Sequence, residues 1–248
     1  DGIRDLVRSR GLGDVYKRQT HGRHGFEIGL VDNESTCYWT FSGERSEMSM
    51  SVEKVIVDGK PYNAPSQLRH LLPAGTSETI SFLSTRLRRL AYVTAERVGP
   101  RDVYPLEDRQ TATVVGPMGE HAASVLHWGR DERVLEELAL PDVPTTRLRQ
   151  VEARMQTLFP GCALELQQVP KANAVTLGLR TSDDMDFHRP IHAGFGLTQA
   201  LPIVIAALSA SKEDILLIEN PEVHLHPAGQ ALIGQFLADV ARADVQII

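Results

Sequence analysis

Residues 215–227 read ILLIENPEVHLHP, and this stretch decides the fold class. It begins with a short aliphatic run, typical of a strand in the middle of a parallel sheet that is covered on both faces. Pro227 suits the first turn of a helix, and an apolar stripe follows at Leu232, Ile233, Phe236, Leu237 and Val240. Residues 245–248 then return as a second strand. Strand, crossover helix and strand form a βαβ unit, which predicts an α/β fold with a mostly parallel sheet flanked by helices.

The acidic turn after the aliphatic run is the first candidate site. Glu219 follows the run directly, with Asn220 and Glu222 close behind it. Because ligands of open parallel sheets bind at the carboxyl ends of the strands, we expect these side chains to face a ligand. A carboxylate in that position can hold Mg²⁺ through its water shell, since hard cations prefer oxygen ligands. An aliphatic run ending in Glu is a weak signal alone, because any strand can end in an acid.

A glycine-rich turn upstream strengthens this interpretation. It reads GFGLTQ and runs into residues 200–209, which are apolar on all faces and predict a buried helix. Backbone N–H groups freed by glycines at a helix N-terminus form a cradle for anions. For a lone GxG, a tight turn without a ligand is the better explanation. A turn, a helix, an aliphatic strand and an acid in this order are much harder to obtain by chance. The candidate binding residues are Gly194, Phe195, Gly196, Leu197, Thr198 and Gln199.

These motifs resemble the ABC-type ATPases of the SMC, RecF and OLD-like group, in particular bacterial AAA-family members with Glu-Asn-Pro-Glu-x-His-Leu-His-Pro after the Walker B strand. In that resemblance residues 194–199 correspond to the signature loop and residues 215–219 to Walker B. Residues 94–101 and 116–120 also look like this group. The resemblance implies a P-loop NTPase-like core preceded by an antiparallel β meander.

The same resemblance implies a function. ATP and Mg²⁺ would be bound, with Glu219, Asn220 and Glu222 as the catalytic candidates, and two copies of the chain would dimerise on ATP. His224 and His226 would lie on a loop that faces the second copy. They also form an H-x-H pair, but two candidate ligands without a nearby third make a weak metal site, so we favour the dimer-facing interpretation.

Two departures from the family pattern matter for hydrolysis. No GxxxxGK[ST] occurs in the sequence, so the loop and lysine that hold the phosphates are absent. Asn220 stands where many ABC proteins have a catalytic glutamate, and asparagine cannot act as a general base. Either Glu219 or Glu222 takes part of that role, or hydrolysis is slow. The alternatives are therefore a nucleotide-gated sensor with little turnover, or the ATPase subunit of a DNA-processing or anti-phage defence system.

The ends of the sequence lead to a further expectation. Residues 1–19 resemble translated adapter sequence, and the histidine switch of the family would fall after Ile248. We therefore expect residues 20–248 to be an internal piece of an ATPase that is inactive alone. Its expected parts are an antiparallel β part at about 26–60, a helical middle at about 76–160, and the signature-loop and Walker B part at about 163–248.

Periodicity supplies the expected elements of that middle region. We expect helices at residues 76–90, 119–128, 132–140 and 147–159, a strand at 91–97, and a hairpin of strands 163–169 and 174–179.

Composition and charge limit the partners and the cellular location that the sequence allows. The chain has 248 residues, of which 42% are hydrophobic, and a formal net charge of −6, so it can bury a core but has no general attraction to nucleic acid. Nucleic acid is possible as a partner without being indicated. Its two cysteines are far apart, and the longest apolar run is too short to span a bilayer, so we expect a cytoplasmic protein. A local basic cluster is interpreted as a solvated helix face with a few ion pairs, formed by Arg86, Arg88, Arg89, Arg97 and Arg101.

Overall fold

The computed structural model describes residues 23–31, 36–44, 49–65, 68–69, 71–73, 89–109, 114–182, 184–192 and 194–248. The chain divides into two compact units, one ending at Leu87 and the other beginning at Arg88. Residues 1–19 and nearly all of the helix expected at 76–90 lie outside the described residues. Within the described part of the chain, no helix combines the length and the hydropathy needed to cross a membrane.

The first unit is built on an antiparallel meander, as expected for residues 26–60. The strands pair in chain order and are β1 (Arg23–Val31), β2 (Thr36–Glu44), β3 (Ser51–Val57) and β4 (Lys60–Asn63). Asp58 and Gly59 connect β3 to β4 with positive φ angles of 47° and 79°, the geometry of a tight two-residue hairpin. A short two-stranded sheet follows, formed by β5 (Leu68–Arg69) and β6 (Leu72–Pro73). The core of the unit contains Cys37, Trp39, Val55, Val57 and Leu72.

The second unit contains the predicted parallel sheet. Its strands are β7 (Ala91–Val93), β11 (Ile215–Ile218) and β12 (Gln246–Ile247), with β11 in the centre and parallel to both neighbours. Helix α4 (Pro227–Arg242) connects β11 to β12, so the βαβ unit inferred from the sequence is present.

Helix α3 (Phe195–Ser209) precedes β11 and lies in the core of the second unit. Every residue from Leu197 to Leu208 is buried, which agrees with a segment that is apolar on all faces. Full burial of an isoleucine side chain such as Ile203 contributes about 1.5–3 kcal/mol. The helix begins earlier than residues 200–209, because the glycine loop itself supplies its first turn.

A second, antiparallel sheet has the order β8 (Tyr104–Pro105), β10 (Ala174–Arg180) and β9 (Ala163–Gln168), and it includes the predicted hairpin. Helices α1 (Ala122–Trp128) and α2 (Arg147–Leu158) agree with the expected helices at 119–128 and 147–159.

The helix expected at residues 132–140 is wrong. Only a 3₁₀ turn forms there, at Glu136–Leu138. The backbone of the preceding residues pairs with residues 145 and 146 instead. Arg133 forms a β-bridge with Thr146, and the Val134 N–H donates to the carbonyl of residue 145. A backbone N–H used in this way is lost to a helix.

The strand expected at residues 91–97 is shorter than predicted. It ends at Val93, and a bend follows in which the Thr94 hydroxyl donates to the main-chain oxygen of Glu96. This bend brings the next residues over the carboxyl edge of the parallel sheet.

Candidate functional site

Glu219 lies at the carboxyl edge of the parallel sheet. Its N–H donates to the Val93 carbonyl at 2.9 Å, which extends the pairing of β11 with β7 by one residue. Its carboxylate is exposed and accepts two hydrogen bonds, from the Tyr92 hydroxyl at 2.6 Å and from the Ala95 N–H at 3.1 Å. These bonds, the one from Tyr92 first, hold the pKa of the Glu219 carboxyl below its usual value. Glu219 is therefore an ionised, oriented carboxylate at the edge where parallel sheets bind ligands.

The donor set around Glu219 fits a magnesium ion bound through water. Each carboxylate oxygen accepts one hydrogen bond and has a further lone-pair site. Among the described residues, no group of three or more His, Cys, Asp and Glu side chains is placed to hold a metal ion. Mg²⁺ does not need such a group, because it commonly uses one or two carboxylates and completes its shell with water and phosphate oxygens.

The turn after Glu219 has an unusual backbone. Asn220 has a φ of 44° and His224 a φ of 64°, in the left-handed region that asparagine tolerates better than most residues. The Val223 N–H donates to the Asn220 carbonyl at 3.2 Å, and the Leu225 N–H to the Glu222 carbonyl at 3.1 Å. The conformation gives a reason for asparagine at position 220 that does not depend on catalysis. Glu222 itself is exposed.

The glycine loop forms the N-terminus of α3. Gly194 is the N-cap residue, and its carbonyl accepts from the Leu197 N–H at 3.1 Å. A Cβ atom on Gly194 would meet no heavy atom within 4 Å, and the Phe195 side chain is 49% exposed. The first N–H groups of an α-helix have no partner within the helix, so this end can receive an anion.

The predicted binding residues of the loop divide into two groups. Gly194 and Phe195 are exposed and Gly196 is half-buried, whereas the side chains of Leu197, Thr198 and Gln199 are buried. The Thr198 hydroxyl is also used locally, because it donates to the Phe195 carbonyl at 2.9 Å.

The glycine loop and the acidic turn are in direct contact. A Cβ atom on Gly196 would lie closer than 3.0 Å to the His224 carbonyl oxygen, so glycine is required by the close approach of the two backbones. The rings of Phe195 and His224 also meet edge to face, with centroids 4.8 Å apart. His226 has a different place, as the N-cap of α4, where its Nδ1 accepts from the Ala228 N–H at 3.5 Å.

The buried side chain of Arg97 also contacts both the glycine loop and the acidic turn. Its side chain is only 6% exposed, so the expectation of a solvated basic face is wrong at this position. Its Nη2 donates to the Asn220 carbonyl at 2.7 Å, and its Nε donates to the Gln199 side-chain oxygen at 3.4 Å. The Gln199 amide in turn donates to the Arg97 carbonyl at 3.3 Å. Burial lowers the pKa of Arg97, while the charge of Glu222 acts in the opposite direction.

Sequence reasoning missed Arg97 and Tyr92 as parts of the site. Both precede Glu219 by more than 120 residues, and neither belongs to a local pattern that indicates such a contact. The resemblance of residues 94–101 to the family was the one available signal, and it assigned no role to any side chain.

A comparison with protein families decides the class. A family model described as "AAA domain, putative AbiEii toxin, Type IV TA system" matches residues 88–248. The chain belongs to this AAA-domain family. The match begins where the second compact unit begins, so the AAA domain contains the parallel sheet, Glu219 and the glycine loop. No curated protein matches the chain.

Membership in the family confirms the coarser expectations from the sequence. An AAA domain implies a P-loop NTPase-like α/β fold and a nucleotide-binding ATPase, and ATPases of this family generally bind ATP with Mg²⁺.

Proposed function

We propose that the AAA domain is the signature-loop and Walker B part of an ABC-type ATPase of the SMC, RecF and OLD-like group, which dimerises on ATP. One observation carries the proposal. The glycine-led N-terminus of α3 and the Glu219 turn contact each other through Gly196 and His224. In the proposal, the N-terminus of α3 would serve as an anion cradle and Glu219 as a magnesium-binding carboxylate, next to each other at the edge of one sheet.

Within the proposal, each group has a distinct task. Glu219 would hold Mg²⁺ through its water shell, and the ion would supply charge neutralisation at the phosphates. Tyr92 and Ala95 keep the carboxylate of Glu219 in place through their hydrogen bonds. Asn220 and Glu222 are the remaining catalytic candidates. Glu222 is exposed and carries a carboxylate that can take up a proton, which Asn220 cannot do.

The phosphate loop is proposed to lie outside this chain, because no GxxxxGK[ST] occurs in the sequence. The chain alone would then be inactive, and hydrolysis would require the protein that includes that loop.

Dimerisation is supported by what the loop exposes. Gly194 and Phe195 are exposed, so the N-terminus of α3 is accessible to the phosphates held by a second copy. His224 and His226 are exposed on the adjoining turn, which agrees with a dimer-facing loop. Such an arrangement would be symmetric, each copy offering its loop to the other.

The ATPase part of the proposal is tested with the protein that includes the phosphate loop. Steady-state phosphate release is measured for the wild type, for Glu219→Gln and for Glu136→Gln, an exposed acid in the 3₁₀ turn of the same unit. We expect Glu219→Gln to lower turnover by about 100-fold or more, and Glu136→Gln to leave it unchanged. Equal turnover in all three proteins would exclude Glu219 from catalysis.

The dimer part is tested at Gly194. Aspartate and asparagine are both favoured N-cap residues, and Gly194 has open space around it, so both substitutions are compatible with the fold. Gly194→Asp places a negative charge where a phosphate would lie, whereas Gly194→Asn is its uncharged control. We expect ATP-dependent dimerisation, measured by light scattering, to be lost in Gly194→Asp and retained in Gly194→Asn. Dimerisation by both variants would contradict the proposed role of the loop.

Asn220 supports a second candidate, a nucleotide-gated sensor with little turnover. The two functions differ in one measurement, since a sensor dimerises on ATP without steady-state phosphate release. Clear turnover that Glu219→Gln abolishes would exclude the pure sensor.

The description of the family favours a setting in defence or in a toxin–antitoxin system. Expression of the protein in a bacterial host tests this candidate. Growth arrest that Glu219→Gln relieves would support it, and unchanged growth during both expression and phage challenge would argue against it. A DNA-processing role would instead require nucleic acid to stimulate phosphate release.

A further inference from the structure

Arg97 lies in residues 94–101, a segment to which the sequence resemblance assigned no role. Residues 91–93 form β7 at the edge of the parallel sheet, and the chain then turns so that the Arg97 side chain is buried between α3 and the acidic turn. Backbone bonds fix this turn, because the N–H groups of Thr94 and Val98 donate to the carbonyls of Pro117 and Met118 at 2.7 Å each. Arg97 therefore extends from an anchored segment.

The loop of residues 117–119, which accepts these hydrogen bonds, packs against α3. Gly119 has a φ of 71°, and a Cβ atom at this position would lie 2.6 Å from the Pro202 side chain in the middle of the helix. The loop that holds residues 94–98 therefore touches α3, the helix whose Gln199 side chain Arg97 contacts.

The guanidinium of Arg97 contacts both segments. Nη2 and Nη1 point to the carbonyls of Asn220 and Glu219 at 2.7 and 3.5 Å, and Nε points to Gln199 at 3.4 Å. A guanidinium has five donors in a rigid plane, so its orientation toward one partner also fixes the others. Gln199 lies in the first turns of α3, and Asn220 follows Glu219 directly.

We propose that Arg97 is a positioning residue that holds the glycine loop of α3 and the Glu219–Asn220 turn in one fixed arrangement. The guanidinium then connects the turn and the loop in addition to the direct contact of Gly196 with His224. The structural part of this statement is independent of any ligand, and its consequence for hydrolysis rests on the function proposed above.

The first test is hydrogen–deuterium exchange of the full chain without nucleotide. The reporting amides are those of Leu197 in the loop and of Val223 and Leu225 in the turn, each of which donates to a carbonyl within its own segment. In Arg97→Met we expect both segments to exchange about tenfold faster or more, because hydrogen bonds from a charged donor are lost. In Arg97→Lys the ammonium can still reach the Asn220 carbonyl, so we expect protection to return in the turn but not in the loop.

Arg147 provides the matched control. It is also a buried arginine of the second unit, 9% exposed, and it pairs with Glu132 at 2.8 Å away from the site. Arg147→Met should lower the thermal midpoint as Arg97→Met does, while leaving exchange in the loop and the turn unchanged. If Arg97→Met affects only one of the two segments, or if Arg147→Met affects both equally, the proposed connection is overturned.

Kinetics separate positioning from binding in the protein that includes the phosphate loop. Arg97 donates to main-chain carbonyls of the turn, so in the proposal it orients the site without binding ATP. Arg97→Met should therefore lower kcat about tenfold or more, while KM for ATP changes less than about twofold. Arg147→Met should leave both constants unchanged. An unchanged kcat in Arg97→Met would overturn the role in hydrolysis. A wild type without turnover would instead refute the ATPase proposal, and the exchange experiment would still decide whether Arg97 joins the two segments.

Discussion

Replacing Gly196 with alanine tests the close contact between the glycine loop and the acidic turn. The added methyl group would lie closer than 3.0 Å to the His224 carbonyl oxygen, whereas 3.4–4 Å is ordinary van der Waals contact. The oxygen belongs to the main chain and cannot rotate away. His224 lies inside the turn closed by the bond from the Leu225 N–H to the Glu222 carbonyl, so the two segments must separate by several tenths of an ångström.

Two opposing effects set the magnitude. Alanine is favoured over glycine within a helix by up to about 1 kcal/mol, and this would stabilise the variant if the space were free. Forcing a methyl group into a closely packed contact destabilises by about 1–3 kcal/mol, and a rigid main-chain neighbour favours the upper part of this range. We expect Gly196→Ala to lower the free energy of unfolding by about 1–2 kcal/mol. In a domain of this size that corresponds to a fall of about 2–8 °C in Tm.

Gly194→Ala is the control for this measurement. Gly194 belongs to the same loop, has a φ of −59°, and has no heavy atom within 4 Å of a Cβ position. The smaller capping preference of alanine and its lower entropy in the unfolded chain nearly cancel, so its stability should change by less than about 0.5 kcal/mol. Thermal unfolding followed by circular dichroism compares the variants. A Gly196→Ala protein as stable as Gly194→Ala would refute the crowding.

Three further predictions concern single residues. The left-handed backbone at position 220 should accept glycine, so Asn220→Gly should lower the free energy of unfolding by less than about 0.5 kcal/mol and Asn220→Val by about 1–2 kcal/mol. Urea titrations compare the two variants, and equal losses of stability would contradict the role of φ. Burial raises the pKa of Cys37 to about 12 and that of Cys162 to about 11. Alkylation by iodoacetamide at pH 8 should therefore be at least about 100-fold slower than for free cysteine until the chain is unfolded, and rapid reaction of the native protein would refute their burial. Gln150 is fully buried, and its side-chain oxygen accepts a hydrogen bond from the Leu140 N–H at 2.8 Å. Gln150→Leu should therefore lower the free energy of unfolding by about 1–3 kcal/mol, and an unchanged stability would show that this N–H finds another acceptor.

The parts of the fold that the sequence predicts are those in which neighbours along the chain decide the structure. The aliphatic run of β11 and the apolar stripe of α4 are local patterns, and both elements lie where the patterns indicate. The acid at the end of β11 follows from the same reasoning, because strand direction alone determines which edge Glu219 occupies.

The contacts that the sequence does not predict join residues far apart along the chain. Tyr92 and Arg97 reach the Glu219 turn across more than 120 residues, and no periodicity encodes such a pairing. The wrong helix at residues 132–140 has the same origin, since the bridge between Arg133 and Thr146 competes with a locally favourable pattern. Helix propensity is a weak preference that tertiary contacts override.

The meeting of Gly196 with His224 has a consequence for how this surface can evolve. The crowded atom is the main-chain oxygen of His224, so the steric demand on position 196 does not depend on which side chain residue 224 carries. Position 224 is restricted by its own left-handed backbone, which asparagine, aspartate or glycine can also adopt. Residue 224 can therefore be replaced by such amino acids as the sequence diverges, whereas position 196 must remain glycine.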